Sequence, residues 1–91
     1  MRQVINLSLP PLIFARGYKK LPSAIKTIAE EQETFFRKNP FDQKLKTHKL
    51  KDKLSGFLSF SIGYKYRIIF ELSRNKNTAY FHSVGNHDIY Q

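Results

Sequence analysis

Three groups of residues in this 91-residue chain carry side chains that could do chemistry. The first is Arg67, within the β-rich stretch from Tyr66 to Leu72. The second is the C-terminal run His87-Asp88-Ile89-Tyr90, which follows another β-rich stretch and could therefore be held at the rim of a sheet, although chain ends often fray. The third is a basic segment in which His48 lies among the lysines Lys44, Lys46, Lys49, Lys51 and Lys53.

These residue types are the ones that RNA cleavage without a metal requires. A base must take the proton of the ribose 2′-hydroxyl, and an acid must protonate the departing 5′-oxygen. Histidine, with an ordinary pKa of ~6.5, can do either. A guanidinium binds phosphate oxygens in a bidentate manner, ammonium groups stabilise the developing negative charge, and tyrosine can stack on a splayed-out base.

Each group also has an ordinary structural interpretation. Lysines between a helix and a sheet often form only a solvated loop, and a lone histidine there often has no function. Arg67 could pair with Glu71 on the same face of its strand, and His87-Asp88 could cap a turn. His82, inside a strand, is expected to be a packing residue.

Four side chains offer metal ligands on paper: His48, His82, His87 and Asp88. Their spacing matches neither HxH nor HExxH, and the chain has no glycine-rich phosphate loop and no nucleophile-elbow pattern. We therefore expect a protein that uses neither a metal nor a cofactor.

The charge balance predicts a polyanionic partner. With 16 Lys and Arg against 7 Asp and Glu, the net charge is +9. Nucleic acid, an acidic protein and an anionic membrane surface all fit, and so does a merely solubilising surface. Cysteine is absent, no apolar run approaches the ~20 residues of a membrane span, and Asn6 and Pro10-Pro11 interrupt the apolar N-terminus. A cytoplasmic location without membrane contact is expected.

The first half of the chain reads as a strand followed by two helices. Residues 2–8 alternate loosely and predict a strand, and residues 12–21 show helical spacing that ends at a proline. Ser23 can cap a second helix, whose apolar stripe continues until Asn39-Pro40 stops it. Residues 41–56 have no clean period and are densely basic.

The second half predicts three strands in one antiparallel meander. They cover residues 57–62, 66–72 and 78–84, separated by a turn at Gly63-Tyr64-Lys65 and a polar hairpin turn at residues 74–77. The order β-α-α-β-β-β predicts a single α+β domain over residues 1–91, with a sheet packed against a helical hairpin in two layers.

Strand parity assigns faces within the predicted sheet. In the stretch 66–72, the even-numbered residues should face the helices, and the odd-numbered residues Arg67, Ile69 and Glu71 should face away from them. Arg67 is therefore expected to point from the middle of the sheet toward an open face where a substrate could lie.

The whole chain resembles the RelE/ParE superfamily of bacterial type II toxins, most closely its RelE/StbE and YafQ/YoeB-like branch. The resemblance is carried by the order of elements and by the strings HKLKDKLSGFLSFSIGYKYRIIFEL and FHSVGNHDIYQ. Within them, the specific features are the H-x-L-x-x-x-L-x-G segment that begins at His48, the YRIIF strand and the VGxHDxY ending.

The resemblance implies a small endoribonuclease that cuts messages in the ribosomal A site and is silenced by a co-expressed antitoxin. It implies that His48 falls at the position of the general base, that Arg67 binds the scissile phosphate and that His87 is the general acid or stabilises the transition state. Which of the two histidines is the base stays open at this point. Tyr90 resembles a terminal aromatic required for cleavage. RNA-binding roles are expected for Lys46, Lys49, Lys51, Lys53 and Tyr64.

One departure concerns a further histidine that some YafQ-like members carry on the loop or strand before the YR-type strand. Here that region reads Ser61-Ile62-Gly63-Tyr64, so Tyr64 or Tyr66 is left as a substitute. The implied partners are an acidic, partly disordered antitoxin, the ribosome with its mRNA, and operator DNA only as a toxin–antitoxin complex. Two alternatives stay open: a ParE-type toxin that inhibits gyrase by binding it, and an inactive relative kept for regulation.

Overall fold

Two helices pack on one face of a five-stranded sheet in the computed structural model, which describes residues 5–86. The helices are α1 (Leu12–Lys19) and α2 (Ser23–Lys38). The strands are β1 (Asn6–Leu7), β2 (His48–Lys49), β3 (Leu58–Ile62), β4 (Tyr66–Leu72) and β5 (Thr78–Gly85). Their spatial order is β1-β5-β4-β3-β2, with β1 parallel to β5 and every other pair antiparallel. The α+β fold class predicted from the sequence is confirmed.

Most predicted elements agree with the structure, with two corrections. Of the predicted first strand, Asn6–Leu7 form β1, and residues 1–4 lie outside the described residues. Ser23 does not cap α2, because Pro22 occupies the N-cap position and Ser23 is the first helical residue. The aperiodic segment 41–56 contains an unpredicted edge strand, β2. Both residues of β2 are exposed, so the strand has no apolar alternation that a pattern search could detect.

The core between the helices and the sheet is aromatic. Phe36 of α2 is fully buried, and its ring contacts the rings of Phe60, Phe70 and Phe81 at centroid distances of 4.9, 4.9 and 5.3 Å. These partners come from β3, β4 and β5, so a single α2 side chain ties together the three central strands.

The other face of the sheet, which we call the outer face, carries the side chains that alternate with this core. Ser59, Ser61, Arg67 and Ile69 lie on it, as parity predicts. The expectation that this face is open is wrong at its centre, because Ser59 is 0 % and Ile69 1 % exposed. The exposed part of the face is therefore its rim, where the candidate residues lie.

Candidate active site

A cross-strand row on the outer face joins the basic segment to β5. His48 pairs with Ser59, Ser59 with Ile69, and Ile69 with Ser83. Directly opposed residues in antiparallel strands project to the same face. His48 therefore projects to the outer face, as Arg67 does, although the two residues come from different regions of the chain.

The guanidinium of Arg67 is held at one end of the central strand. Its Nη1 donates hydrogen bonds to the carbonyl oxygens of Tyr66 (2.9 Å) and Tyr64 (3.3 Å). Within residues 5–86, Nη2 and Nε make no hydrogen bond, and Arg67 forms no ion pair with Glu71. Arg67 is half-buried, so it presents a fixed cation with donors that an anion can accept from.

His48 lies on the exposed edge strand β2, with its Nδ1 3.3 Å from the carbonyl oxygen of Lys46. A carbonyl oxygen only accepts hydrogen bonds, so this contact requires a proton on Nδ1. In the neutral ring the lone pair then resides on Nε2. Lys46 has a left-handed backbone (φ 53°), which turns the chain between the 3₁₀ helix Gln43–Leu45 and β2. The neutral imidazole of His48 is thus oriented to accept a proton at Nε2.

The four predicted RNA-binding lysines are all exposed but do not all project to one face. Lys49 pairs with Leu58, which packs in the helix-side core, so Lys49 projects away from the face that His48 uses. Lys51 and Lys53 lie at the 3₁₀ helix Asp52–Leu54, between β2 and β3, and Lys46 lies at the turn before β2. The structure therefore places Lys49 on the face opposite to that of His48, and the other three lysines in the exposed segments that precede and follow β2.

Tyr64 lies in the turn between β3 and β4 and is 95 % exposed. Its carbonyl oxygen accepts a hydrogen bond from Arg67, so the turn holds the tyrosine next to the guanidinium. An exposed tyrosine at a turn next to a guanidinium is suited to stacking on an RNA base.

His87 and Tyr90 lie outside the described residues. The strand that precedes them in the chain, β5, ends at Gly85, which pairs with Arg67. Their predicted roles in catalysis stay predictions.

His82 was expected to be a packing residue inside a strand; it does contact an aromatic ring, but on the outer face and not in the core. Ile69 pairs with Ser83 and Phe70 with Phe81, so His82 is an extra residue, a β-bulge, opposite the Ile69–Phe70 step. Phe81 and Val84 both enter the helix-side core, three positions apart, which leaves His82 and Ser83 outside it. His82 is exposed, its ring centroid is 5.2 Å from that of Phe57, and its Nδ1 lies 3.0 Å from the Ser83 hydroxyl oxygen.

One signal in the sequence could have revealed this histidine. In a regular strand, core residues recur every second position, but Phe81 and Val84 are separated by two intervening polar residues. Such a break in the alternation indicates a bulge, which re-aims side chains and is common near active sites.

A surface groove of about 710 Å³ leads from α1 to the bulge. Arg16 of α1 and Lys20 at the C-cap of that helix line it on one side, and Leu54, His82 and Ser83 line it on the other. The groove therefore connects two cations of the helical layer with the exposed imidazole.

Two negative results apply to residues 5–86. No three His, Asp or Glu side chains of that range are clustered so that they could hold a metal ion. No helix of that range combines the length and apolar character needed to cross a membrane.

Comparison with known proteins places the fold. No family model and no curated protein matches the sequence. Solved structures do match: the toxin–antitoxin complex RelBE2 of Mycobacterium tuberculosis has a TM-score of 0.75 at 19 % identity, covering 92 % of this chain and 99 % of that one. YafQ of E. coli gives 0.71 at 16 % identity, with 97 % of each chain covered. A YoeB/ParE toxin of Agrobacterium tumefaciens gives 0.72 at 16 % identity, covering 91 % of this chain and 99 % of that one.

These similarities extend over nearly the whole chain at low identity, so they define the architecture and not the chemistry. They confirm the resemblance at the level of the fold. The protein has the fold of the RelE/ParE superfamily of type II toxins.

Proposed function

We propose that this chain is the toxin of a type II toxin–antitoxin system and a ribosome-dependent endoribonuclease that cuts mRNA by acid–base chemistry without a metal. The observation that carries the proposal is that Arg67 and His48 project to the same face of the sheet. The first offers guanidinium donors and the second a basic Nε2.

In this mechanism the scissile phosphate binds to Arg67, next to the exposed ring of Tyr64. Nε2 of His48 takes the proton of the ribose 2′-hydroxyl, and the 2′-oxygen attacks phosphorus. The guanidinium stabilises the charge of the phosphorane because it is already fixed in position by the two tyrosine carbonyls. From the resemblance, His87 is expected as acid or stabilising group, and Tyr90 as a required aromatic.

The proposed partners follow from the charge of the chain. A net charge of +9 favours the ribosome and its mRNA, and equally an acidic, partly disordered antitoxin that folds on the basic surface. A cytoplasmic location, with operator DNA bound only by the toxin–antitoxin complex, completes the proposal.

The experiment adds purified chain to translating ribosomes and maps the 5′ ends of the message, with His48→Gln and Arg67→Ala chains as controls. Cuts that appear with the unmodified chain and not with either control support the proposal. The same preparations are assayed for inhibition of DNA gyrase supercoiling. An intact message together with inhibited gyrase would overturn the proposal in favour of a ParE-type toxin, and inactivity in both assays would indicate a regulatory relative.

A further inference from the structure

We propose that His82 is a second proton-transfer residue of the RNA-cleaving site and acts as the acid that protonates the leaving 5′-oxygen, opposite His48 as the base. This inference rests on the proposed function and assigns a role that neither the sequence motifs nor the resemblance provides.

The first argument is the direction in which His82 points. The bulge in β5 places its side chain outside the core, on the same side of the sheet as Ser83 and the rest of the cross-strand row. A regular strand would have alternated His82 with Ser83 and placed only one of them outside the core. The bulge therefore keeps His82 and Ser83 side by side on the outer face, where the Ser83 hydroxyl contacts the imidazole.

The second argument is where the imidazole ring lies. Phe57 immediately precedes β3, and β4 separates β3 from β5. Backbones two strands apart are separated by about 10 Å, yet the rings of Phe57 and His82 are 5.2 Å apart. The two rings consequently meet over β4, so the imidazole lies on the outer face on the side of β5 that faces β3 and, beyond it, His48 on β2.

The third argument is the hydrogen bond of His82. Its Nδ1 lies 3.0 Å from the hydroxyl oxygen of Ser83. In the imidazolium both nitrogens carry protons, so Nδ1 donates to that hydroxyl and Nε2 keeps a proton to give away. Ser83 therefore acts as a positioning residue that orients the acid, just as the Lys46 carbonyl orients the base.

The proton balance of the step is complete. The 2′-hydroxyl proton goes to Nε2 of His48, the 2′-oxygen–phosphorus bond forms, and the phosphorus–5′-oxygen bond breaks. Nε2 of His82 gives its proton to the 5′-oxygen. The products are a 2′,3′-cyclic phosphate and a 5′-hydroxyl, and a proton exchange with water restores both histidines.

The charged surroundings of His82 suit a phosphate. Cations outnumber carboxylates around it: Arg16 on α1 and Lys20 at its C-cap, Lys53 and Asp52 beside Leu54, Arg67 and Glu71 on β4, with Tyr80 on β5 and His48 on β2 as the other titratable groups. This excess of positive charge favours the approach of a polyanion to His82 and disfavours the binding of a cation there.

A rival role for His82 is to form a stacking platform with Phe57 for an RNA base. The two roles differ in what they require. Stacking needs only a flat ring, whereas acid catalysis needs a proton on Nε2. His82→Phe keeps the ring without the proton, and His82→Gln removes the titratable group.

The experiment measures single-turnover cleavage from pH 5 to 9 on ribosomes, at a site first mapped with the unmodified chain. We expect both variants to cleave at least 10²-fold more slowly and to lose the alkaline limb of the profile, which deprotonation of an acid produces. Tyr80→Phe, on the same strand, should leave rate and profile unchanged. Thermal unfolding of each variant checks that the fold is retained.

A modified message provides the sharper readout. With sulfur in place of the bridging 5′-oxygen at the mapped site, the leaving group needs no proton, so we expect His82→Gln to cut it as fast as the unmodified chain does. His48→Gln should remain slow on the same message.

Three results would overturn the inference while leaving the proposed function standing: His82→Gln with an unchanged rate and profile, His82→Phe with full activity, or rescue by the sulfur substrate of His87→Gln and not of His82→Gln. If the unmodified chain cuts nothing, the proposed function fails, and this inference with it.

Discussion

Arg67 lies directly opposite Gly85 across the β4–β5 ladder, and its neighbour on the other side is Ser61. The two residues that flank the arginine on the outer face are therefore among the smallest available. Among residues 5–86, the hydrogen bonds of the guanidinium go to the backbone carbonyls of Tyr64 and Tyr66. This arrangement fixes a cation between two small neighbours on the adjacent strands.

Arg67 should be indispensable and not replaceable by lysine. Arg67→Ala is expected to lower the rate of mRNA cleavage by about 10²–10³-fold, because one preorganised group that stabilises the transition state is lost. Arg67→Lys should recover only a small part of that loss, since an ammonium cannot bind two phosphate oxygens in a fork. Single-turnover cleavage on ribosomes measures both rates.

The matched control is Arg74→Lys, at the exposed turn between β4 and β5. It should cleave at the unmodified rate. If Arg67→Lys is as active as Arg74→Lys, then Arg67 is not a bidentate phosphate ligand.

The exposed lysines that precede and follow β2 should set the salt dependence of RNA binding. In a His48→Gln background, which leaves the RNA uncut, removing Lys46, Lys51 or Lys53 by substitution with Gln should each reduce the slope of log K against log salt by up to about 0.7. Fluorescence anisotropy with single-stranded RNA at several salt concentrations measures this slope.

Lys49→Gln provides the internal comparison, because Lys49 projects to the other face of the sheet. We expect its slope to change less than that of the other three. Equal effects at all four positions would indicate that the lysines contribute only diffuse charge.

Because α1 and β5 are in close contact at Gly17, replacing this glycine should destabilise the protein. A Cβ atom at Gly17 would lie 2.7 Å from the carbonyl oxygen of Val84, so α1 has to shift away from the sheet in Gly17→Ala. Alanine is favoured over glycine within helices by about 1 kcal/mol, yet here we expect a lower free energy of unfolding. Urea denaturation of the unmodified chain and of Gly17→Ala measures the sign of this change in the free energy of unfolding.

Ala15→Gly, at an exposed position of the same helix, calibrates the helix propensity in this context. Should Gly17→Ala stabilise the protein by as much as Ala15→Gly destabilises it, then the close approach to Val84 does not limit packing.

Tyr18 should make the stability of the protein sensitive to alkaline pH. Burial, and then the negative charges of Glu30 and Glu33, raise the pKa of its hydroxyl above the ordinary value of 10.0. The folded state holds this proton more tightly than the unfolded state does. The contribution of Tyr18 to the free energy of unfolding is therefore fully present below pH ~10 and is lost as the pH rises through the raised pKa.

Tyr18→Phe removes this titration. The difference in unfolding free energy between the unmodified chain and Tyr18→Phe should be constant from pH 7 to 9 and move against the unmodified chain above pH ~10. Comparing the two chains cancels the titration of the lysines. If the difference in unfolding free energy between the two chains does not vary with pH, the pKa of Tyr18 is not raised by folding.

The parts of the site that follow strand parity could be predicted from the sequence, and the parts that depend on pairing could not. Alternation within Tyr66–Leu72 was sufficient to place Arg67 on the face away from the helices. The face of His48 depends on its pairing with Ser59 in a short edge strand, which has no apolar pattern of its own. Lys49 looked equivalent to the other lysines for the same reason.

The bulge at His82 shows the limit of parity most clearly. Regular alternation from Phe81 places His82 outside the core, but the same count would bury Ser83 and expose Val84. The pairing of Ser83 with Ile69 resolves this conflict by leaving His82 unpaired, and pairing registers are long-range information that a local pattern does not contain.

The chemical form of the cleaved ends tests the central claim most directly. Acid–base cleavage through the 2′-hydroxyl leaves a 5′-hydroxyl on the downstream fragment, which polynucleotide kinase labels without prior phosphatase treatment. We predict that the fragments released from translating ribosomes by the unmodified chain are labelled in this way, and that none appear with His48→Gln. Fragments that carry a 5′-phosphate, or the same fragments with His48→Gln, would contradict the account.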